Sequence, residues 1–302
     1  MDVITVVAPC YNEQEVLPIF YRELCRVAEE MSARAEFEFL FIDDGSRDGT
    51  CSILKELREQ DPRVCYISFS RNFGKEAGIY AGLEHASGDY IVVMDADMQH
   101  PPAFIPKMYD AVVSGEYDCA STRRVTRKGE SPLRSLFARL FYKVNNALSP
   151  VKMVEGAQDF RFMSRRMAEA VLELSERNRF TKGIFNWVGF RTKYLEYDNV
   201  ERAAGKSKWS FLGLLRYSIE GILAFSTAPL LLPLLLGAIL FAAGLVMAVL
   251  RLCGAGADLV CAVILMVGGA QLGCLGILGA YFSKIYLEVK KRPIYIARDI
   301  QK

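Results

Sequence analysis

The sequence predicts an α/β domain with a mostly parallel sheet that carries its ligand site at one edge, followed by a membrane anchor. Short β-branched or aromatic runs alternate with amphipathic stretches through the first half of the chain. Each run ends in turn chemistry rich in polar and acidic residues, and two long stretches near the C-terminus carry no charge. The alternation predicts strands over residues 4–8, 37–42, 64–68 and 90–94, with helices over 13–31, 49–59 and 75–86 between them. Strands separated in this way are βαβ units, whose crossovers give a parallel sheet. The turns that follow are Pro9-Cys10-Tyr11-Asn12, Asp43-Asp44-Gly45-Ser46, Arg71-Asn72-Phe73-Gly74 and Asp95-Ala96-Asp97. They gather on the edge where an open α/β sheet binds its ligand. No G-x-G-x-x-G follows the first strand, which argues against a dinucleotide fold.

The second half is less regular. A weak strand at 118–122 leads into a basic loop with Arg123, Arg124, Arg127, Lys128, Arg134, Arg139 and Lys143, and residues 131–148 read as an amphipathic helix behind it. Further strands are expected at 160–163 and 193–197. Residues 209–225 are apolar on most faces with Arg216 and Glu220 between, as in a helix lying at a membrane interface.

Residues 228–250 and 259–282 are uncharged, and each exceeds the roughly 20 residues a helix needs to cross a bilayer. A transmembrane hairpin over 228–283 is the simplest account. Lys284, Lys290, Lys291, Arg292 and Arg298 follow it, whereas the link between the spans has only Arg251 and Asp258. Because cytoplasmic flanks are enriched in Lys and Arg, the tail (284–302) and the N-terminal domain (1–208) are expected in the cytoplasm. The interfacial segment over 209–227 would join domain to anchor. No signal peptide is expected at the N-terminus. Gly268, Gly269, Gly273, Gly276 and Gly279 can pack helices within one chain or between copies, so a homo-oligomer stays open.

The chain has 302 residues and a net charge of +2, which singles out no polyanionic partner, and nucleic acid is not expected. The eight cysteines include no C-x-x-C pair, and a cytoplasmic domain keeps them reduced. His85 and His100 are too few and too far apart for a zinc site.

Asp95 and Asp97 are the most informative pair. In extended backbone, residues i and i+2 point the same way, so both carboxylates can face one ligand. Hard oxygens at a strand end suit a divalent cation bridging a diphosphate.

The segments Val7-Ala8-Pro9-Cys10-Tyr11-Asn12-Glu13, Ile42 through Thr50, and Asp95-Ala96-Asp97-Met98-Gln99-His100-Pro101 resemble the nucleotide-sugar motifs of family 2 glycosyltransferases. Gln158-Asp159-Phe160-Arg161 and the segment from Arg202 to Trp209 are similar to later motifs of one branch, the polyprenyl-phosphate glycosyltransferases. That branch includes bactoprenol glucosyltransferases and dolichol-phosphate mannose synthases. The resemblance covers nearly the whole chain and implies a GT-A-type domain that uses Mg²⁺ or Mn²⁺, a nucleotide-sugar donor and a polyprenyl phosphate acceptor.

The resemblance places Pro9, Tyr11, Glu13, Asp43, Asp44, Asp95 and Gln99 on the donor, with Asp95, Asp97 and Gln99 around the metal. Asp97 and Asp159 would be catalytic. Arg123, Arg134, Arg161, Arg202, Ser207 and Lys208 would hold the acceptor phosphate, for which the planar guanidinium fork is suited. Local alternatives stand beside these roles. Asp43 and Asp44 can cap the following helix, Glu13 can serve a helix N-terminus, and Gln99 can make a turn bond. The arginines can face anionic headgroups. Asp159 can act as a base or as a positioning group. A phosphate monoester, with a second pKa near 6, is already largely ionised at pH 7.

UDP-glucose is the donor the resemblance favours, with GDP-mannose the main alternative. A processive polysaccharide synthase would carry Q-x-x-R-W, which is absent. A flippase component needs a pathway that two spans without an intramembrane ionisable residue do not provide. A catalytically dead scaffold would have lost a motif carboxylate, yet Asp44, Asp95, Asp97 and Asp159 are all present.

Overall fold

β1 (Asp2–Cys10) runs between two parallel neighbours, β2 (Ala35–Asp43) and β4 (Tyr90–Val93). The computed structural model describes residues 1–124, 142–143, 145–149, 151–197, 226, 229, 233, 235–237, 239–240, 242, 246 and 259–302. β3 (Val64–Phe69) extends the parallel core beyond β2. On the other flank β6 (Ala157–Ser164) pairs antiparallel with β4, and β5 (Cys119–Arg124) pairs antiparallel with β6. β7 (Thr192–Tyr197) then runs parallel to β5. With β8 (Ala297–Gln301) beside β3, the eight-stranded sheet has the order β7-β5-β6-β4-β1-β2-β3-β8. It is a mixed sheet around the parallel core that the alternating pattern predicts.

Strand alternation sorts the apolar residues to two faces. Ile4, Val6, Phe39, Phe41 and Val92 point to one core, closed by α1 (Leu17–Glu30), α2 (Thr50–Gln60) and α4 (Ile105–Val113). Val7, Leu40, Ile42, Ile91 and Met163 point to the other. α3 (Lys75–His85), α5 (Arg165–Glu173) and α6 (Thr181–Trp187) close that side. α3 lies so close to β1 that a Cβ on Gly82 would sit 2.0 Å from Val7 Cγ1.

The structure moves several expected boundaries. The first helix begins at Leu17 rather than residue 13, because the chain first turns back: Val16 N and Leu17 N both donate to the Glu13 carbonyl, and Pro18 stands in the first turn. β6 is longer than the expected 160–163 and begins at Ala157. α4, α5 and α6 are absent from the sequence expectation; they are short, and their apolar faces show only against the sheet.

The largest departure is at the C-terminus. α7 (Leu259–Val289) is 31 residues long, about 46 Å at 1.5 Å per residue, and continues past the expected end at 282. Its stretch Ala270–Val289 is the one helix among the described residues long and apolar enough to cross a membrane, and none of it is buried in the protein. Residues 209–225 and most of 228–250 lie outside the described residues. The segment expected to be a simple tail instead returns to the domain. β8 pairs antiparallel with β3 and covers what would be the sheet's open edge. Tyr295 stacks on Phe69 with ring centroids 4.9 Å apart, and its hydroxyl donates to Glu84. The backbone amides of Arg177 and Asn178 donate to the Glu288 carboxylate near the end of α7, and Lys284 Nζ reaches Asn178 Oδ1.

Removing the stacked ring of Tyr295 should loosen this return. Tyr295→Ala is expected to lower unfolding free energy by about 2 kcal/mol, and Tyr295→Phe by less, in denaturant titrations of the detergent-solubilised chain.

Candidate active site

Strand direction brings the site together. Cys10, Asp43 and Phe69 end β1, β2 and β3 on the edge where Asp95 follows β4. β6 runs the other way, so its beginning lies there too, with Arg161 opposite Val93. Arg123 at the end of β5 faces Ala157, and Tyr197 at the end of β7 faces Arg124.

The loops on this edge are stitched to one another by side chains. Asp43 is 1 % exposed, accepting from Ser46 N at 3.0 Å and from Ser68 Oγ at 2.8 Å. Asp44 accepts from Phe73 N at 2.6 Å and Gly74 N at 2.9 Å, which ties the turn after β2 to the turn after β3. Gly45 between them has φ +65°, and a Cβ there would meet Arg71 backbone carbon at 2.4 Å, so only glycine fits. Asn12 N donates to Ser46 Oγ, Arg47 N to Asn12 Oδ1, and Glu13 N to Thr50 Oγ1, each at 2.9 Å. Pro9 packs towards Gly78 of α3. Tyr11 and Glu13 are half-buried in the first loop. Burial pushes the Asp44 carboxyl up to about 6 against the two amides, which lower it.

Asp95 and Asp97 are half-buried on either side of Ala96, which is 1 % exposed. The chain leaves extended backbone at Ala96, where it turns, so the strand alternation expected of an i, i+2 pair ends at Asp95. Asp97 Oδ1 accepts from Gln99 N at 3.1 Å across a turn in which Met98 has φ +60°. Gln99 itself is half-buried. His100 is buried and meets the Tyr197 hydroxyl at 3.1 Å; burial lowers its pKa and keeps the ring neutral.

Lys75, the first residue of α3, joins this pair to Asp159. Its Nζ lies 2.7 Å from Asp95 Oδ1 and 2.6 Å from Asp159 Oδ2. Lys182 in α6 approaches Asp159 Oδ1 at 3.8 Å. Burial alone would raise the Asp159 carboxyl, but Lys182, then Lys75, then Arg161 hold it well below the usual carboxylate range. Desolvation pulls the Lys75 ammonium down, and Asp159 and Asp95 more than offset it, so its pKa rises. Next to it, Glu76 accepts from Thr181 N at 2.9 Å and from the Thr181 hydroxyl, fixing the start of α6 and with it Lys182.

Arg123 sits at the same edge, 42 % exposed, with Nε donating to the Glu155 carbonyl at 3.1 Å. Arg161 does not join it. It is 1 % exposed, its guanidinium lies 4.6 Å over the Phe185 ring, and its Nε and Nη1 have no hydrogen-bond partner among the described residues. A side chain on β6 two residues from Asp159 shares its face but sits one step deeper in the core, out of reach of a phosphate arriving from solvent. Arg134, Arg202, Ser207 and Lys208 lie outside the described residues. Lys75, Glu76 and Lys182 are not among the site residues expected from sequence, because a lone lysine or glutamate in a helical pattern reads as a solvated face.

Among the described residues there is no group of three or more His, Cys, Asp or Glu side chains that could hold a metal ion by themselves. The donor set nevertheless fits a hard divalent cation. Asp95 and Asp97 offer carboxylate oxygens, Asp95 already binds a cation in the Lys75 ammonium, and the open side can admit phosphate oxygens and water.

Comparison with known proteins shows what the chain is similar to. Residues 5–172 match the family described as Glycosyl transferase family 2. The chain is 41 % identical over 303 residues to the SfII prophage-derived bactoprenol glucosyl transferase of Shigella flexneri, covering 98 % of this chain and 97 % of that one. It is 39 % identical over 307 residues to the prophage bactoprenol glucosyl transferase homolog of Escherichia coli, covering 99 % of each. It is also 40 % identical to the bactoprenol glucosyl transferase of Shigella phage SfX over 304 residues, 98 % of this chain and 99 % of the relative.

The Asp44 carboxyl gives a pH signature. A carboxyl raised on folding, from about 4 to about 6, binds more protons folded than unfolded between those values. Its contribution to stability is therefore present below pH 4 and is lost as pH rises through 6. Asp44→Asn keeps an acceptor for Phe73 and Gly74 without the titration. In denaturant melts the variant should gain on the wild type as pH rises from 4 to 7, and a constant difference would contradict the assignment.

Proposed function

The chain belongs to glycosyl transferase family 2, and from that premise we propose that it transfers one sugar from a nucleotide-sugar donor to polyprenyl phosphate, inverting the anomeric carbon. The names of the relatives support a bactoprenol-type acceptor and a glucosyl group, and UDP-glucose is the donor of this reading. The observation that carries the reading is the meeting of the Asp95 and Asp159 carboxylates on one ammonium at the sheet edge. It brings a donor-diphosphate position and an acceptor-side carboxylate within one small site.

Pro9, Tyr11, Glu13, Asp43 and Asp44 build the donor wall. Asp43 and Asp44 act on it mainly by holding the turns in place, since their oxygens are occupied by Ser46, Ser68, Phe73 and Gly74. Asp95, Asp97 and Gln99 would hold Mg²⁺ or Mn²⁺, which when bound neutralises charge developing on the departing nucleoside diphosphate. Asp159 is held ionised, so it cannot supply a proton to the leaving group. The acceptor phosphate needs little deprotonation at pH 7, having a second pKa near 6. Asp159 is then best placed to orient the acceptor and to stabilise positive charge at C1 as the sugar–phosphate bond lengthens. Attack by a phosphate oxygen forms the new C1–O bond while the electron pair of the old bond leaves with the nucleoside diphosphate.

Arg123 would bind the acceptor phosphate together with Arg134, Arg202, Ser207 and Lys208. Arg161, buried against Phe185, is assigned to supporting Asp159 and not to that clamp. α7 and a second span over 228–250 would anchor the domain with its site on the cytoplasmic face, and the product would serve cell-envelope glycan modification.

The test is a donor screen with the purified full chain, Mn²⁺ and undecaprenyl phosphate, following labelled sugar into organic solvent. UDP-glucose is expected to give extractable label; label in water-soluble polymer, or none with UDP-GlcNAc, GDP-mannose or UDP-glucose, overturns the reading. Asp97→Ala should lower transfer at least about 100-fold while leaving the melting temperature near that of the wild type. Asp159→Asn is expected to lower kcat by a factor on the order of 100 with little change in donor KM.

A further inference from the structure

We infer that Lys75 is an internal counter-ion: it holds Asp95 and Asp159 together until a divalent cation displaces it from Asp95. The inference rests on the proposed donor site and adds a positioning residue to it. Lys75 Nζ contacts both oxygens of Asp95, at 2.7 and 2.8 Å, and Asp159 Oδ2 at 2.6 Å. Local helix energetics do not explain a lysine there. It is the first residue of an 11-residue helix, where exposed N–H groups favour an acid and disfavour a cation. Its backbone is fixed from outside, since Gly74 before it has φ +99° and donates its N–H to Asp44. The side chain is 36 % exposed, so ligands in solvent can reach it.

An ammonium and a divalent cation cannot share Asp95 at contact distance, because two like charges a few ångströms apart repel strongly outside bulk water. Cation binding and the Lys75–Asp95 contact therefore compete, and each weakens the other by the same factor. An ammonium has three donor hydrogens. Once released from Asp95 it keeps Asp159 and has a donor free for a phosphate oxygen. Metal loading on the donor side is thus transmitted to the carboxylate on the acceptor side through a single side chain.

The competition makes an unusual prediction: removing the lysine improves metal binding while harming transfer. Mn²⁺ is titrated into the full-length detergent-solubilised protein without donor, read by calorimetry or by loss of the free Mn²⁺ resonance signal. Lys75→Gln should bind Mn²⁺ roughly tenfold more tightly than wild type, the order expected for loss of one charge-assisted hydrogen bond. Lys75→Arg should stay within about twofold. Transfer by Lys75→Gln should fall at least about tenfold even at saturating Mn²⁺, with Lys75→Arg recovering part of it. A merely structural ion pair predicts unchanged or weaker Mn²⁺ binding in the Gln variant, and that result overturns the inference, as does absence of Mn²⁺ binding to both proteins. Lys75→Ala replaces Lys75→Gln if the latter does not show a wild-type melting transition. Normal sugar transfer without tighter Mn²⁺ binding sinks the counter-ion while leaving the functional reading intact. Tighter Mn²⁺ binding by Lys75→Gln together with no transfer by the wild type from any donor does the reverse.

Discussion

β1 is buried on both faces between parallel β2 and β4, with Ile4, Val6 and Ala8 on one side and Val7 on the other, all at most 1 % exposed. A strand in that position has almost no freedom of register. A one-residue slip would exchange the residues meeting α1 with those meeting α3, and α3 already touches Val7 too closely for any side chain at Gly82. With β1 fixed, the ends of β2, β3 and β4 are fixed at the same edge, and the antiparallel β6 delivers Asp159 to that edge from the other direction. The charged site is a consequence of this register.

Placing polar turns at an edge leaves them needing internal partners. Asp44, Asn12 and Thr50 meet that need by binding backbone amides of neighbouring turns, and Asp43 by binding an amide of its own turn. The cost shows in the Asp44 carboxyl, raised to about 6 by burial even though two amides favour its charge. Rigid turns matter for glycosyl transfer, in which donor and acceptor must approach one carbon, because misplacement by an ångström is costly in rate. Lys75, Lys182 and Arg161 do for Asp159 what the amides do for Asp44. They keep a buried carboxylate ionised, and two of them reach it from helices on the same face of the sheet.

The C-terminal return ties the end of the long apolar helix to the domain. α7 ends against the amides of Arg177 and Asn178, and the chain then stacks Tyr295 on Phe69 and adds β8 beside β3. Arg177 and Asn178 stand just ahead of α6, the helix that presents Lys182. The end of the long apolar helix is therefore linked through a few residues to the helix that carries one cation of the site.

The alternating strand and helix pattern, the acidic turns and the Asp95–Asp97 pair were readable from the sequence because each depends on neighbours within a few residues: side-chain alternation, glycine at a left-handed turn, charge next to an apolar run. The family motifs named Asp159 for the same reason. What only the tertiary structure decided were contacts between residues far apart in the chain. Asp159 meets Lys75 across 84 positions and Arg177 meets Glu288 across 111. Arg161 resembles a phosphate ligand in its motif, yet its position one step along β6 from the edge and the packing of Phe185 bury it. A lysine at the start of α3 carries no local mark of function, since its role comes from two carboxylates that the sheet brings to it. Local pattern fixes which way a side chain faces, whereas the partner it faces depends on strand order and register, which no short window of sequence contains.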